Sequence, residues 1–485
     1  MNARLPLFKC LPLVLALAAA GCANDHGLKP NANLAKAEGL GVQASLADVA
    51  ISPAAWPSPT WWTGLGDRQL DALIDEALRD SPDLQVAAAR AHQAMAAANA
   101  ADADRQPYVA ADASVSRSRL AKVQDPLLTG DRYSTLRSAE VTFDYSFDLW
   151  GGERAAWEAA LGRARAAEVD QQAARLTLAV DVARAYSDLG HAYISADLAR
   201  EDLERTRQML QLGRQRLAAG IDSQYQLQQT ESLEASAQEQ ALNADKQLRS
   251  ARVALTALLG KGPDRAGDIA RPRILQPAAV ALPSQLPADL LGRRPDLVAA
   301  RWRVEAASRD IDVSKTRFYP NLNLTAAAGT QSMLGDALFG TASRFFNVAP
   351  AVSLPLFDGG RLRAGLDARD ADYELVVAQY NKTLVGALAE VADAINRLQA
   401  LGNQVAAKQH AVDVVRQSYD TVTQRYGSGI GNYLDVLTLE QQLLGAQQQL
   451  AALNAERIDV SIQLMQALGG GYQGQTLAST QAPRD

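Results

Sequence analysis

Two stretches of the chain follow one pattern. Residues 216–231 read RLAAGIDSQYQLQQTE, and residues 425–440 read RYGSGIGNYLDVLTLE. Arg, Gly, Ile and the closing Glu keep the same places in both stretches. A glycine after a helical pattern can adopt the positive φ that ends a helix, and the polar residues that follow suit the start of another. Each stretch therefore predicts a tight turn between two helices.

The repeat extends beyond these turns. SPDLQVAAARA from residue 81 corresponds to RPDLVAARWRV from residue 294, and FDLWGGERAAW from residue 147 corresponds to PLFDGGRLRAG from residue 355. Pro107 corresponds to Pro320, and the ALLG that ends at Gly260 corresponds to the QALG that ends at Gly469. A unit of about 180 residues therefore occurs twice in tandem, much longer than the roughly 20–50 residues of a solenoid repeat.

Long helices flank each repeated turn. No proline occurs between Pro126 and Pro263, or between Pro355 and Pro483. In the second copy, apolar residues recur at spacings of three, four or seven, as in a coiled-coil seam: Leu384, Leu388, Val391, Ile395, Leu398, Val405, Val412, Val415, Tyr419, Val422 and Tyr426. About 65 helical residues would extend on the order of 100 Å. An ordinary antiparallel coiled coil fits the same pattern.

Each copy also carries two segments in which apolar and polar residues alternate. The apolar positions are Val109, Ala111, Ala113 and Val115; Val141, Phe143, Tyr145, Phe147 and Leu149; Leu322, Leu324, Ala326 and Ala328; and Phe346, Val348, Val352, Leu354 and Leu356. A period of two predicts β-strands with one apolar face, and we expect Pro350 to interrupt the fourth strand.

Alternating strands of about ten residues suit a tilted membrane strand, although a soluble sandwich or an edge hairpin would alternate in the same way. Four strands in one chain leave two unpaired edges, which lipid does not tolerate because it cannot hydrogen-bond to them. A membrane barrel built from these strands is therefore expected to be shared between chains.

The N-terminus reads as an export signal. In MNARLPLFKCLPLVLALAAAGC, Arg4 and Lys9 precede a short apolar run that is too brief to span a bilayer. Residues 1–21 are therefore predicted to be a lipoprotein signal peptide, with Cys22 as the lipidated residue. Ala19 stands where the lipobox usually has Leu, and cleavage after Ala20 to leave a free thiol is the alternative. Ala23 after the cysteine is compatible with the outer membrane.

Composition and motifs exclude several classes of protein. The formal net charge of -6 argues against a nucleic-acid partner. The only two cysteines lie at the N-terminus, so no disulfide framework or cysteine metal site is expected. Four histidines are singly placed: His26, His92, His191 and His410. No catalytic or phosphate-binding motif is present, and GSGIG at Gly427 is interpreted as a turn. We expect no catalytic residue, no cofactor and no metal. Four acidic residues are expected on solvated helix surfaces: Asp181, Asp188, Glu201 and Asp202.

The pattern predicts a definite domain order. The expected segments are a signal peptide at 1–21; an extended tail with the lipid anchor at 22–66; a first repeat at 67–260, with a hairpin at about 107–149 and long helices at about 153–259; a proline-rich linker at 261–286; a second repeat at 287–470, with a hairpin at about 321–356 and long helices at about 360–468; and a C-terminal tail at 471–485.

The ordered motifs resemble the TolC-like outer-membrane factor family, in its lipoprotein (NodT-type) branch. They are WWTGLGDRQLDALIDEALRDSPDL from residue 61, RRPDL from 293, FYPNLNL from 318, SLPLFDGGRLRA from 353 and RYGSGIGNYLDVL from 425. The resemblance covers nearly the whole exported chain. It implies an α+β membrane protein: a homotrimer that shares one β-barrel, with four strands from each protomer, continued by a long periplasmic α-helical barrel.

The resemblance also implies a function. Such proteins are passive outer-membrane exit ducts of tripartite efflux pumps, embedded in outer-membrane lipid and extending into the periplasm, where an adaptor protein links them to an inner-membrane transporter. The adaptor would dock on the repeated turns, at Gly220, Ile221, Asp222, Ser223, Gly429, Ile430, Gly431 and Asn432. A duct for type I protein secretion and a structural envelope lipoprotein remain as alternatives.

The periplasmic end of the family's duct is closed by Tyr, Arg and Asp side chains near the second turn. Tyr426 and Asp435 match those positions here, whereas Gly431 and Thr438 stand where some members carry Arg and Asp. The resemblance therefore implies that Tyr426 and Asp435 form the periplasmic aperture. A plain capping role at the third position of the following helix is the alternative for Asp435.

Overall fold

The computed structural model of this protein describes residues 32–35, 56–119, 121, 133–273, 275, 277, 286–333 and 337–473. The predicted signal peptide, Cys22, most of the tail that follows it and most of the C-terminal tail lie outside the described residues, as does part of the predicted linker.

Helices dominate the described chain. In order, its main elements are α1 (Arg68–Asp80), α2 (Pro82–Ala103), β1 (Tyr108–Arg119), β2 (Tyr133–Phe147), α3 (Gly152–Ala218), α4 (Gln224–Leu258), α5 (Leu286–Arg293), α6 (Pro295–Thr316), β3 (Asn321–Ser332), β4 (Arg344–Ser353), α7 (Arg361–Gly427) and α8 (Tyr433–Ala467). Short 3-10 helices occur at Trp61–Leu65, Pro263–Asp268 and Thr341–Ser343.

The two halves of the chain contain equivalent elements, and three pairs of helices agree in length. α2 and α6 each have 22 residues, and two strands follow each of them. The long helices α3 and α7 each have 67 residues, and the helices α4 and α8 each have 35. The seam expected along α7 is buried at most of its positions, including Leu384, Val391 and Ile395. The 3.6-residue period therefore marks the packed face of this helix correctly.

Contacts divide the chain into two compact units. The first contains the four strands with adjoining helical segments, in residues 90–167 and 300–380. The second contains the remainder of the helices, in residues 35–89, 168–299 and 381–485. The ends of both long helical hairpins belong to this second unit.

The strands form one antiparallel sheet in the order β1-β2-β3-β4, and their apolar residues share one face. Phe143 lies opposite Val109 on one side and Ala326 on the other, and Ala326 lies opposite Val348. The same register gives what we call the apolar sheet face: Val109, Ala111, Ala113, Val115, Val141, Phe143, Tyr145, Phe147, Leu322, Leu324, Ala326, Ala328, Phe346, Val348, Pro350 and Val352. Its side chains are largely uncovered: Phe346 is 84% exposed and Val115 is 71% exposed.

Two strands are shorter than their alternation predicts. β2 ends at Phe147 and β4 ends at Ser353, so the predicted strand residues Leu149, Leu354 and Leu356 lie outside the sheet.

The cause is a local capping arrangement. The Asp148 carboxylate accepts hydrogen bonds from the backbone N–H groups of Glu153 (3.1 Å) and Arg154 (2.8 Å). In the second half, the Asp358 carboxylate accepts from Gly360 (2.9 Å) and Leu362 (2.7 Å). The free N–H groups at a helix start need such acceptors, so the chain leaves the sheet to supply them.

Pro350 does not interrupt β4. The strand runs from Arg344 to Ser353, and Pro350 remains in register with Leu324. β4 is an edge strand of the sheet within this chain, where a missing N–H is tolerated if it faces away from the neighbouring strand. The predicted interruption is therefore wrong.

The second arginine of the RRPDL motif links three helices of the second half. Arg294, whose side chain is 9% exposed, forms ion pairs with Asp296 and Glu390, both at 2.7 Å, and donates to the carbonyl of Ala467 at 3.1 Å. The guanidinium thereby joins the start of α6 to α7 and to the end of α8. A buried arginine requires this number of acceptors, so the motif has a structural role.

Among the described residues, no helix combines the length and the apolar character that would let it cross a membrane.

Candidate functional site

The two repeated turns have nearly the same backbone conformation. The carbonyl of Arg216 accepts from the N–H groups of Ile221 (2.9 Å) and Asp222 (3.4 Å), and the carbonyl of Arg425 accepts from Ile430 (3.0 Å) and Gly431 (3.1 Å). Gly220 and Gly429 adopt positive φ values of 70° and 78°. These are the hydrogen bonds and the left-handed glycine of a helix C-cap, so the sequence prediction of a turn holds at both sites.

The next helix is capped in a different way at each turn. Ser223 and Gln226 form a reciprocal capping box at the start of α4. At the start of α8, the Asn432 side chain accepts from the N–H of Leu434 at 3.2 Å. Asp435 lies in the first turn of α8 and is exposed, and it makes no hydrogen bond or ion pair with the side chains that the structure describes.

The two hairpin ends meet through one carboxylate. Asp222 accepts from the Nε of Arg216 at 3.0 Å and from the hydroxyl of Tyr426 at 3.1 Å, both at the same Oδ2 atom. The guanidinium of Arg216 also lies over the Tyr426 ring, 4.4 Å from its centroid, a favourable cation–π distance. We call these three residues the hairpin clasp. It joins the first turn to the last turn of α7.

The hairpin clasp is protected from solvent. Tyr426 is 1% exposed, and the Asp222 side chain is 9% exposed. Burial raises the pKa of Tyr426 to about 12, and the hydrogen bond and negative charge of Asp222 add to the rise. The hydrogen bond to Asp222 raises the pKa of Arg216. Arg216 therefore stays charged and Tyr426 stays neutral across the physiological pH range.

A second contact lies beside the clasp. The hydroxyls of Tyr433 and Thr230 share a short hydrogen bond, and the rings of Tyr426 and Tyr433 lie 5.9 Å apart. The surrounding buried cluster consists of Met209, Tyr426, Tyr433, Val436 and Leu437. One hairpin supplies the aromatic side chains of both contacts, and the other supplies the acceptor or partner hydroxyl.

A buried acid lies farther along α8. Glu440 is 6% exposed, and its Oε1 lies 3.5 Å from the Nε of Arg205. Burial raises the pKa of Glu440 to about 7, and the nearby Asp202 carboxylate contributes to the rise. Asp202 is itself 8% exposed, so its predicted place on a solvated surface is wrong. The reason is that α3 turns this side chain toward α8, which the sequence of α3 alone does not reveal.

The outermost side chains of both turns are apolar and exposed. Ile221 is 62% exposed and Tyr225 is 72% exposed; the equivalent Ile430 and Leu434 are 76% and 55% exposed. Ile221 and Ile430 are predicted turn residues, whereas Tyr225 and Leu434 were not predicted; together they give the two turns similar surfaces, each with two uncovered apolar side chains.

The structure brings some predicted site residues together and separates others. Tyr426 is central to the clasp, whereas Asp435 faces solvent outside it. The sequence interpretation missed Arg216 as a clasp residue and gave Asp222 only a docking role. The repeated arginine was visible in both turns, but no local signal paired Asp222 with a tyrosine 204 residues later.

No group of three or more His, Cys, Asp or Glu side chains among the described residues could hold a metal ion. His92 and His410 are exposed on helices, and His191 is half-buried; His26 lies outside the described residues.

Comparison with known proteins identifies the class. The model of the outer membrane efflux protein family matches residues 73–261 and again residues 286–470. These two segments cover most of the chain and coincide with its two halves. The chain therefore belongs to the outer membrane efflux protein family, and the resemblance predicted from its sequence is confirmed. This is a family of outer-membrane transport proteins rather than enzymes.

Individual relatives support the same family assignment. The chain is 38% identical over 367 residues to the fusaric acid resistance protein FusA of Burkholderia cepacia, covering 74% of this chain and 68% of FusA. It is 32% identical to the multidrug resistance outer membrane protein MdtP of Escherichia coli K12, covering 88% of this chain and 89% of MdtP. Its fold is similar to the crystal structure of the outer membrane protein VceC from Vibrio cholerae, with a TM-score of 0.79, 36% identity, and coverage of 86% of this chain and 100% of VceC.

Proposed function

We propose that this protein is the outer-membrane exit duct of a tripartite efflux pump, passively conducting drugs or other small toxic compounds to the outside. The observation that carries the proposal is the apolar sheet face, which is continuous over four strands and uncovered within the chain. A face of this size on one side of a sheet, with polar residues such as Thr142 and Asn323 on the other, fits strands with lipid outside and water inside.

The sheet also supports assembly as a homotrimer. Within the described chain, β1 and β4 each pair on one side only, and lipid does not tolerate strand edges that lack partners. Pairing β4 of one protomer with β1 of the next would close a barrel, and three chains would contribute twelve strands. A protein that runs in detergent as a stable monomer with its full strand content would refute the shared barrel.

The hairpin ends support docking of a periplasmic adaptor. Ile221 and Tyr225 in one turn, and Ile430 and Leu434 in the other, expose equivalent apolar side chains at the ends of the two hairpins. Exposed apolar groups beside polar caps are typical of protein interaction sites. An inner-membrane transporter would supply the energy, because a passive duct has no energy source of its own.

The hairpin clasp supports a closed resting state. Because the Asp222 carboxylate binds both Arg216 and Tyr426, opening the hairpins would leave buried charged and polar groups without partners. Asp435 belongs to the aperture only as an exposed charge in this proposal, and in a trimer three such charges would attract cations. Lipidation at Cys22 stays a prediction. Its test is palmitate labelling, which Cys22→Ser should abolish.

The proposed function is tested in two ways. Purified protein in planar bilayers should give discrete single-channel conductance, which a structural envelope lipoprotein would not. Deleting the gene should sensitise the cells to small toxic compounds, and plasmid expression should restore resistance. Loss of a secreted protein without any change in sensitivity would favour the type I secretion duct instead.

A further inference from the structure

A cavity lies beside the end of the sheet. Its volume is about 400 Å³, within the range of small-molecule sites. Trp150 and Tyr319 form one wall, with rings stacked 4.7 Å apart at an interplanar angle of 22°. The Trp150 Nε1–H donates to the carbonyl of Pro320 at 2.8 Å, so this wall is held in place by the backbone just before β3.

The cavity lies at the end of the sheet where the apolar sheet face stops. Trp150 follows the end of β2 by three residues, and Tyr319 precedes β3 by two. The last residue of β2, Phe147, pairs with Leu322 near the start of β3, so the two rings lie just beyond the last apolar pair of these strands. Trp150 is 50% exposed and Tyr319 is 36% exposed. Half-exposed Trp and Tyr at the end of a lipid-facing surface are typical of the membrane–water interface.

Another part of the cavity wall carries both signs of charge. Arg309 pairs with Glu158 at 3.1 Å and with Asp312 at 3.4 Å, and Arg154 also pairs with Glu158, at 2.9 Å. Lys315 lines the same cavity and is half-buried. It makes no hydrogen bond or ion pair with any residue that the structure describes. The wall therefore has three cations for two carboxylates, and the lysine is the cation left over.

We infer that this cavity binds the head group of a zwitterionic membrane phospholipid such as phosphatidylethanolamine. Its phosphate would contact Lys315, assisted by Arg309, and its ammonium would contact the exposed side of Asp312. The acyl chains would continue past Trp150 onto the apolar sheet face. The inference rests on the proposed function in one respect, that this face lies in lipid. Charge-assisted contacts of this kind recognise lipid head groups at the membrane surface.

The experiment is a lipid titration of the purified, detergent-solubilised protein, read by native mass spectrometry. Phosphatidylethanolamine should bind more tightly than the anionic phosphatidylglycerol, because only its ammonium can pair with the exposed side of Asp312. Lys315→Met keeps the aliphatic stem and removes the charge. We expect it to weaken phosphatidylethanolamine binding by about tenfold. Asp312→Asn should abolish the preference for phosphatidylethanolamine over phosphatidylglycerol.

The matched control is Lys246→Met, on an exposed lysine of α4 in the other unit, and it should leave binding unchanged. Equal weakening by both lysine variants, or none by Lys315→Met with its circular dichroism unchanged, would overturn the inference. Complete competition by millimolar inorganic phosphate would also overturn it, since the site would then bind a free anion. Single-channel conductance is recorded for the same samples. If the wild-type protein shows no conductance, the proposed duct function is wrong, whereas the lipid titration still tests the inference about the cavity.

Discussion

The two hairpin ends have the same backbone conformation but different side chains. Both have a left-handed glycine, at 220 and 429, and both fold their turn N–H groups onto the carbonyl of an arginine. Where the first end has Asp222, the second has Gly431, and where the first end has Leu217, the second has Tyr426. The differing residues Asp222 and Tyr426 are the ones that bond to each other.

The side-chain differences make two turns of similar backbone complementary to each other. Glycine and the caps determine the turn locally, so the backbone tolerates change at neighbouring positions. The neighbouring positions form the contact between the hairpins. Two identical turns, each with an aspartate at position 222 and no tyrosine at position 426, could not form it, because the aspartate would have no hydroxyl to bind. The closing glutamates differ in the same way: Glu231 pairs with Arg214 at an exposed site, whereas Glu440 is buried.

The largest effect is expected from Asp222→Ala. The change leaves the Arg216 guanidinium, whose side chain is 16% exposed, and the Tyr426 hydroxyl without their shared acceptor. Breaking a largely buried charged pair from one side costs about 3 kcal/mol. We expect a lower thermal unfolding midpoint by circular dichroism and a higher resting conductance. Gly431→Asp would not restore the contact, because a Cβ at Gly431 would lie 2.7 Å from the backbone nitrogen of Tyr426.

An unchanged midpoint and an unchanged resting conductance for Asp222→Ala would mean that the apolar cluster and the contact between Tyr433 and Thr230 hold the two ends together without the clasp.

The second-largest effect is expected in the pH dependence of stability, which should distinguish the buried Glu440 from the exposed Glu231. Since the pKa of Glu440 is raised to about 7 in the folded protein from 4.5, the folded state holds this proton more tightly than the unfolded state. Its contribution to stability is present below pH 4.5 and is lost as the pH rises through about 7. Glu440→Gln should therefore stabilise the protein at pH 8 by on the order of 2 kcal/mol, with little effect at pH 4.5.

The control for this experiment is Glu231→Gln, at the equivalent exposed position. Thermal midpoints measured from pH 4.5 to 8 should converge at low pH for wild type and Glu440→Gln, and the Glu231→Gln curve should parallel that of wild type. Parallel curves for all three proteins would show that Glu440 remains ionised in the folded state.

Removing one hydroxyl from the clasp should have a moderate effect. Tyr426→Phe keeps the ring beneath Arg216 and deletes the 3.1 Å hydrogen bond to Asp222. The expected loss in the free energy of unfolding is about 1 kcal/mol. A double-mutant cycle with Asp222→Ala measures the coupling, and strict additivity would contradict a direct bond between the two side chains.

The smallest effect is expected from Asp435→Asn. Asp435 is exposed in the first turn of α8, where a negative charge favours the helix N-terminus by about 0.5 kcal/mol. If its charge also acts at the aperture, the variant should show weaker block by cations from the periplasmic side in planar bilayers. Wild-type block in a correctly folded variant would leave Asp435 as a helix-end residue only.

The sequence by itself determined the periodic features of this protein. Alternation placed Val141, Phe143 and Tyr145 on one face of a strand, the seam from Leu384 marked the buried side of α7, and the repeated glycines located both turns. Each of these signals is local, because the backbone repeats every two residues in a strand and every 3.6 in a helix. Motif order was also sufficient to indicate the family.

The tertiary structure decided which side chains meet. The partnership of Asp222 with Tyr426, the burial of Asp202 against Glu440 and the stacking of Trp150 on Tyr319 join residues far apart in the chain. They depend on how each helix or strand end is rotated toward its neighbour, and a rotation of one residue turns a side chain by about 100° on a helix. Periodicity gives the packed face of a helix but does not name its partner, so these contacts became visible only once the helices were packed.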